Sequence, residues 1–257
     1  MSRLAIVLAA GKGTRMNSDL PKVLHPVCGR AIIHWVLDAL REVGVTRLLV
    51  VIGYQSDRVR QELAEYGDIE FVEQTEQLGT GHAVKMCVPL LSGGDGAVLI
   101  VCGDSPLIQT SSLNSLFTEF DRMQPACILG TLQKDDPRGL GRIVRDANGD
   151  FLGIVEEKDA TDAQRAIKEV NMSTYLFDCP QLLEALEQLR NDNRQGEYYV
   201  TDCPGILKNA GRDVRALPVL KDCEALSINT VEELGIVELE MQKLGYSNGA
   251  PGSSADR

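Results

Sequence analysis

Residues Leu8–Met16 read L-A-A-G-K-G-T-R-M and follow an apolar run, Leu4–Leu8, built of Leu, Ala, Ile and Val. The pattern predicts a buried strand that feeds a tight glycine turn carrying two cations, Lys12 and Arg15. Glycine permits unusual φ and close approach, so backbone N–H groups in such a turn can cradle phosphate oxygens. Two familiar phosphate motifs do not match. A Walker loop needs Ser or Thr after Gly-Lys, whereas Gly13 follows Lys12, and G-x-G-x-x-G has Met16 in place of its third glycine. On these residues alone an ordinary strand–helix turn is an equal reading.

Outward from this turn, apolar runs at 47–52, 69–72 and 96–101 alternate with helical spacing at 31–43, 56–66 and 81–91. Strand–helix–strand units in that order predict an α/β fold. It is Rossmann-like and doubly wound, a mostly parallel mixed sheet flanked by helices. The second half reads as strands at 126–132, 151–156, 170–177, 214–217 and 225–228, with helices at 180–189, 201–209 and 231–244. A polar loop or short helix is expected at 159–168. One domain over 1–246 is expected, with an N-terminal half of about 1–110, a second half of about 111–230, a terminal helix at 231–245 and a flexible tail at 247–257.

The chain of 257 residues is 44% apolar and 25% charged, which excludes disorder of the whole. Its formal net charge of −11 disfavours nucleic acid and anionic membrane as partners. No apolar run is long enough to span a bilayer, and the N-terminal run is too short for a signal peptide, so a cytoplasmic location is expected. Seven cysteines with no C-x-x-C spacing predict buried reduced thiols rather than a disulfide framework or a zinc site.

Extended to Lys22, the turn reads G-x-G-T-x-M-x-x-x-x-P-K. This string resembles the signature of the sugar-nucleotide pyrophosphorylases, nucleotidyltransferases that join a sugar 1-phosphate to a nucleoside triphosphate. The resemblance implies that Lys12 and Arg15 lie by the leaving β- and γ-phosphates and Lys22 by the α-phosphate. Arg15 and Lys22 are the expected catalytic residues, and Leu8, Ala9, Ala10, Gly11, Lys12, Gly13 and Lys22 the expected triphosphate site. Residues 73–83, E-Q-T-E-Q-L-G-T-G-H-A, resemble the base-reading segment of the N-acetylglucosamine-1-phosphate uridyltransferases. Gln74, Gly79 and Thr80 then meet uracil, whose N3–H and O4 need an acceptor and a donor, both of which an amide side chain offers. Thr80 also suits a helix N-cap, and His82 by itself reads as a structural histidine.

Gly103-Asp104 follows the fourth buried strand, where a carboxylate points into the ligand crevice of a parallel sheet and suits Mg²⁺. The resemblance supplies a second ligand, Asn229 of Ser227-Ile228-Asn229-Thr230, so Asp104 and Asn229 are the expected metal residues. Asn229 has a rival role as a helix N-cap. On the sugar side the resemblance marks Gly141 in G-L-G-R-I, Glu156 in I-V-E-E-K-D-A-T, Asn171, and Tyr199 and Thr201 in G-E-Y-Y-V-T-D.

The resemblance runs from about Arg3 to about Leu244. It implies UTP and N-acetylglucosamine 1-phosphate as substrates, UDP-N-acetylglucosamine and pyrophosphate as products, Mg²⁺ as cofactor, and a role in supplying a peptidoglycan precursor. The hexapeptide repeats of the bifunctional bacterial enzyme's left-handed β-helix are absent from the sequence. A separate acetyltransferase upstream is therefore expected. One segment departs: Asn171-Met172-Ser173 stands where the family has Asn-Thr-Gly, which opens glucose 1-phosphate as a rival sugar. A rival of another class is a nucleotide-sugar sensor without turnover.

Overall fold

The computed structural model describes residues 3–247. In chain order the strands are β1 (Arg3–Leu8), β2 (Pro26–Val27), β3 (Arg30–Ala31), β4 (Arg47–Ile52), β5 (Ile69–Glu73), β6 (Ala97–Cys102), β7 (Cys127–Gln133), β8 (Gly141–Arg145), β9 (Phe151–Val155), β10 (Glu169–Asp178) and β11 (Val214–Leu217). The helices are α1 (Ile32–Glu42), α2 (Ser56–Glu62), α3 (Thr80–Lys85), α4 (Val88–Leu91), α5 (Thr110–Met123), α6 (Asp162–Arg165), α7 (Cys179–Gln188), α8 (Asp202–Asn209) and α9 (Val231–Lys243).

Among the described residues one nine-stranded sheet runs β11-β7-β10-β6-β1-β4-β5, with β8 on β10 and β9 on β8. β1 lies at the centre, parallel to β4 and to β6. β10 enters antiparallel between β6 and β7, which makes the sheet mixed. Successive residues of a strand face opposite sides. Ile6 therefore packs with Leu49, Val84 and Ile100 on one face, while Ala5 and Val7 pack with Val36, Leu40 and Phe117 on the other. A third cluster joins Met16, Trp35, Ile228, Val237 and Met241, seating α9 against the glycine turn. Trp35 Nε1 donates to Val27 O at 3.0 Å, and Tyr246 meets the Trp35 ring edge-on.

The structure corrects several local expectations. The helix read over 81–91 divides into α3 and α4, because Pro89 has no N–H for the Lys85 carbonyl. The strand read at 225–228 is absent. Asp222–Ala225 is a 3₁₀ turn, folded around the buried Glu224 carboxylate, which accepts from Gln109 N, Ser112 Oγ and Lys221 N. Helix α5, strand β8 and the β2–β3 hairpin have no counterpart in the sequence reading. Most of the tail expected at 247–257 lies outside the described residues. All seven cysteines are free, five of them buried, with Cys102 and Cys223 only half-buried.

Leu99 is 1% exposed in the second cluster, on a strand flanked on both sides. Leu99→Ala is expected to lower the unfolding free energy by about 2–5 kcal/mol, read from the urea midpoint.

Candidate active site

The C-terminal ends of β1 and β6 open into a cleft of about 340 Å³. Its walls include Leu8, Ala9, Ala10, Gly11, Lys22, Gln74, Gly79, Thr80 and Asp104, all marked by the sequence. Gly103 lies beneath, its N–H donating to Leu8 O at 2.9 Å. Gly13 adopts φ +65, and a Cβ there would meet Lys22 Cβ at 2.8 Å, so only glycine lets the lysine pack against the turn. Lys12 stands apart. It is exposed, with its ammonium 5.3 Å from the centroid of the Tyr54 ring.

Three distant segments meet at the Lys22 ammonium. It pairs with Asp104 Oδ2 and donates to Asn229 Oδ1 at 3.0 Å, and Arg15 Nη2 donates to the same Oδ1 at 2.9 Å. The Lys22 and Asp104 side chains are 15% and 19% exposed, so solvent screens the pair weakly. The expected catalytic and metal residues thus form one cluster. The cap roles are reassigned by the structure. Thr230 is the N-cap of α9, in a capping box with Glu233, whose carboxylate also accepts from Asn229 N at 2.6 Å. Asn229 is free of capping: its Nδ2 donates to Ser227 Oγ, which turns Oδ1 toward the cations. Likewise Gly79, not Thr80, caps α3, and the Thr80 hydroxyl accepts from Val200 N at 3.2 Å.

No three His, Cys, Asp or Glu side chains are placed to hold a metal ion among the described residues. The donor set suits Mg²⁺ all the same. One carboxylate and one amide oxygen converge on a single cation position, and Mg²⁺ is commonly held by one or two carboxylates together with substrate phosphates and water.

The amide of Gln74 is only 5% exposed. Its Nε2 donates to Gly79 O at 3.0 Å and lies 3.1 Å from His82 Nδ1. The nitrogen is therefore spent inside the protein, and Oε1 is the polar atom that this cleft-lining side chain has left to offer. This changes the two-sided pairing expected of Gln74 into an acceptor alone, and it gives His82 a task the sequence did not show. Gln77 and Glu197 also line the cleft without having been singled out, and Gln77 Nε2 donates to Ala10 O at 2.7 Å.

The residues expected to face the sugar gather beside the cleft. A Cβ on Gly141 would lie 3.5 Å from Asn171 Cβ and 3.6 Å from Glu156 Oε1. Glu156 receives a hydrogen bond from Thr201, yet burial holds its carboxyl above the usual range. Burial and the neighbouring Asp159, Glu197, Glu156 and Asp202 push the Tyr199 phenol up to about 12. Arg142, 1% exposed and overlooked in the sequence, clamps the 139–142 loop by donating to Leu140 O and to Glu157 at 2.6 Å. The two halves are stitched by backbone: Gly81 N donates to Tyr198 O at 2.7 Å and Tyr198 N to Leu78 O at 2.8 Å. A Cβ on Gly79 would come within 2.5 Å of Tyr198 O, so the close approach requires glycine.

Asp202 is pushed up to about 6, by burial first and then by Glu156, Asp159 and Asp192. The folded chain keeps a proton there that the unfolded chain releases near pH 4, so stability falls as pH rises from about 4 to about 6. Asp202→Asn is expected to melt higher than wild type at pH 7, with the gain gone at pH 4. Melting temperature against pH checks this.

The pattern of the MobA-like NTP transferase domain matches residues 5–202. The chain is 45% identical over 244 residues to the bifunctional protein GlmU of Lactococcus lactis subsp. lactis, covering 95% of this chain and 53% of that protein. It is 42% identical over 241 residues to the bifunctional protein GlmU of Bacillus licheniformis, covering 94% and 52%. The chain therefore spans about half the length of these curated relatives. Among solved structures, UDP-glucose pyrophosphorylase complexed with UDP-glucose superposes with a TM-score of 0.77 at 18% identity, over 95% of this chain and 99% of that one, a likeness of fold. With the matched pattern covering most of its length and the fold in agreement, the chain belongs to the MobA-like NTP transferase domain family.

Proposed function

We propose that the chain transfers a uridylyl group from UTP to N-acetylglucosamine 1-phosphate, giving UDP-N-acetylglucosamine and pyrophosphate. The observation that carries this reading is the convergence of Arg15, Lys22, Asp104 and Asn229 beside a cleft that Gln74 helps to line. The similarity to the bifunctional GlmU proteins over 94–95% of the chain supports it.

A sugar phosphate oxygen attacks the α-phosphorus in line; the new P–O bond forms as the bond to the β-phosphate bridge breaks, and pyrophosphate leaves. A phosphate monoester is already ionised at pH 7, so no general base is required. The barrier is the approach of two anions, and catalysis is positioning and charge neutralisation. Lys22 faces the α-phosphate and Arg15 the leaving oxygens. Asp104 and Asn229 would hold Mg²⁺, which when bound supplies charge neutralisation at the phosphates. Lys22 is seated between those two oxygens, so the ammonium leaves them to meet the nucleotide. Gln74 Oε1 accepts from uracil N3–H. Glu156, Asn171, Tyr199, Thr201 and the Gly141 backbone face the sugar. The reading places the chain in the cytoplasm, with an acetyltransferase activity supplying its sugar substrate. Among the described residues no helix is long and apolar enough to cross a membrane.

Pyrophosphate release with UTP and Mg²⁺ tests the reading, comparing N-acetylglucosamine 1-phosphate with glucose 1-phosphate and adding EDTA as control. Release with the acetylated sugar alone is expected. Release with glucose 1-phosphate alone replaces the sugar, and release with neither overturns the reading. Lys22→Ala is expected to lower kcat/KM by about 10²–10³, the scale of one lost electrostatic stabiliser; a loss below about threefold rejects its role. Asp104→Asn is expected to shift the Mg²⁺ titration of activity to higher concentration with the fold intact; an unmoved titration removes Asp104 from the metal site.

A further inference from the structure

Asn171 lies where three strands meet, opposite Thr131 of β7 and Gly141 of β8. Directly after it β10 loses register with β7, and pairing resumes only at Tyr175 opposite Leu129. Met172, Ser173 and Thr174 thus stand against the single residue Gly130, a bulge that re-aims the strand. Ser173 absorbs the slack at φ +54, a left-handed conformation unusual for a residue with a Cβ.

The bulge folds back on the Asn171 side chain. A carboxamide has two N–H donors and one oxygen with two lone pairs. One Asn171 N–H donates to Tyr175 Oη at 2.7 Å, and Oδ1 accepts from Ser173 N at 3.2 Å. A backbone N–H can only donate, so it must face the oxygen, and one of the two amide orientations is selected. Asn171 is 5% exposed and Tyr175 fully buried, so water cannot substitute for either partner. Burial holds the Tyr175 phenol neutral, and the Ser173 side chain and the Glu156 carboxylate adjoin it. One N–H and one lone pair of Asn171 are left over, on a side chain whose Cβ adjoins Gly141, with the Glu156 carboxylate near the same glycine.

We propose that Tyr175 is a positioning residue for sugar recognition: with the Ser173 backbone N–H it locks the Asn171 amide in one orientation, so that the remaining N–H meets an acceptor oxygen on the bound sugar phosphate. This rests on the reading of Asn171 as a sugar-facing residue. The phenol touches no substrate and acts through Asn171.

The test is steady-state kinetics of wild type, Tyr175→Phe, Asn171→Ala, the double variant and Ser173→Gly, with UTP and N-acetylglucosamine 1-phosphate. Tyr175→Phe keeps the ring and removes the oxygen. It is expected to raise KM for the sugar phosphate about tenfold, with kcat within about twofold and KM for UTP unchanged, the pattern of lost ground-state binding. In the Asn171→Ala background the same change is expected to add nothing further. Ser173→Gly keeps the N–H and is expected to hold KM within about threefold of wild type. An unchanged KM in Tyr175→Phe, an additive double variant, or equal losses in both KM values and kcat overturns the inference, and a large effect of Ser173→Gly overturns the part given to the backbone N–H. A wild type that turns over neither sugar phosphate overturns the functional reading beneath it, which separates the two failures.

Discussion

The Lys22 ammonium is the point on which the site depends. It gathers Asp104 from the end of β6 and Asn229 from the segment before α9, two residues far apart in sequence. With Arg15 on the same Asn229 oxygen, the first turn, the loop after β6 and the segment before the last helix share one polar cluster. Its worth comes from limited exposure: a pair so little hydrated attracts more strongly than a surface ion pair. The packing serves this meeting. Met16 anchors the glycine turn in the cluster that also holds Val237 and Met241 of α9, so hydrophobic burial sets the distance over which the charges act.

Electrostatics is divided by region. The chain carries a net charge of −11, yet the cations Arg15 and Lys22 stand together beside the cleft. Beside the cleft Glu156, Asp159 and Asp202 crowd together, and the fold tolerates this by raising the protonation of Asp202 and Glu156. Carboxylates there suit a neutral, hydroxyl-rich ring, whereas cations suit the phosphates. On the proposed function, one crevice would offer two environments to the two ends of a sugar phosphate.

The sequence was most legible where local rules act. Unbroken apolar runs marked β1, β4 and β6, because strands buried on both faces have no alternation to obscure them. The capping box of α9 is written in Thr230 and Glu233, yet the sequence pointed to Asn229 as the cap, in rivalry with its own metal role. Helix α5 has Leu113, Leu116, Phe117 and Phe120 inward and still escaped notice, since its Ser and Thr residues favour caps and turns over helix interiors. Strand β8 exists by pairing with β9 and β10, partners that periodicity cannot supply. In the site, the residue types were visible and their hydrogen-bond directions were not. That Gln74 spends its nitrogen on Gly79 and His82, or that Asn171 is held by Tyr175, follows from contacts between segments.

The orientation of Gln74 has a consequence for the choice of pyrimidine. With its nitrogen committed, the carboxamide shows the cleft lone pairs only. Uracil carries a hydrogen on N3; cytosine carries a lone pair at the same atom. A cytosine docked by that edge would set lone pair against lone pair in a largely buried place, where an unmatched polar contact is costly. Rotating the amide to greet cytosine would turn its oxygen onto the Gly79 carbonyl and exchange one repulsion for another. On the proposed function, exclusion of the amino pyrimidine would thus come from the protein's own backbone, one layer behind the surface that the base would touch.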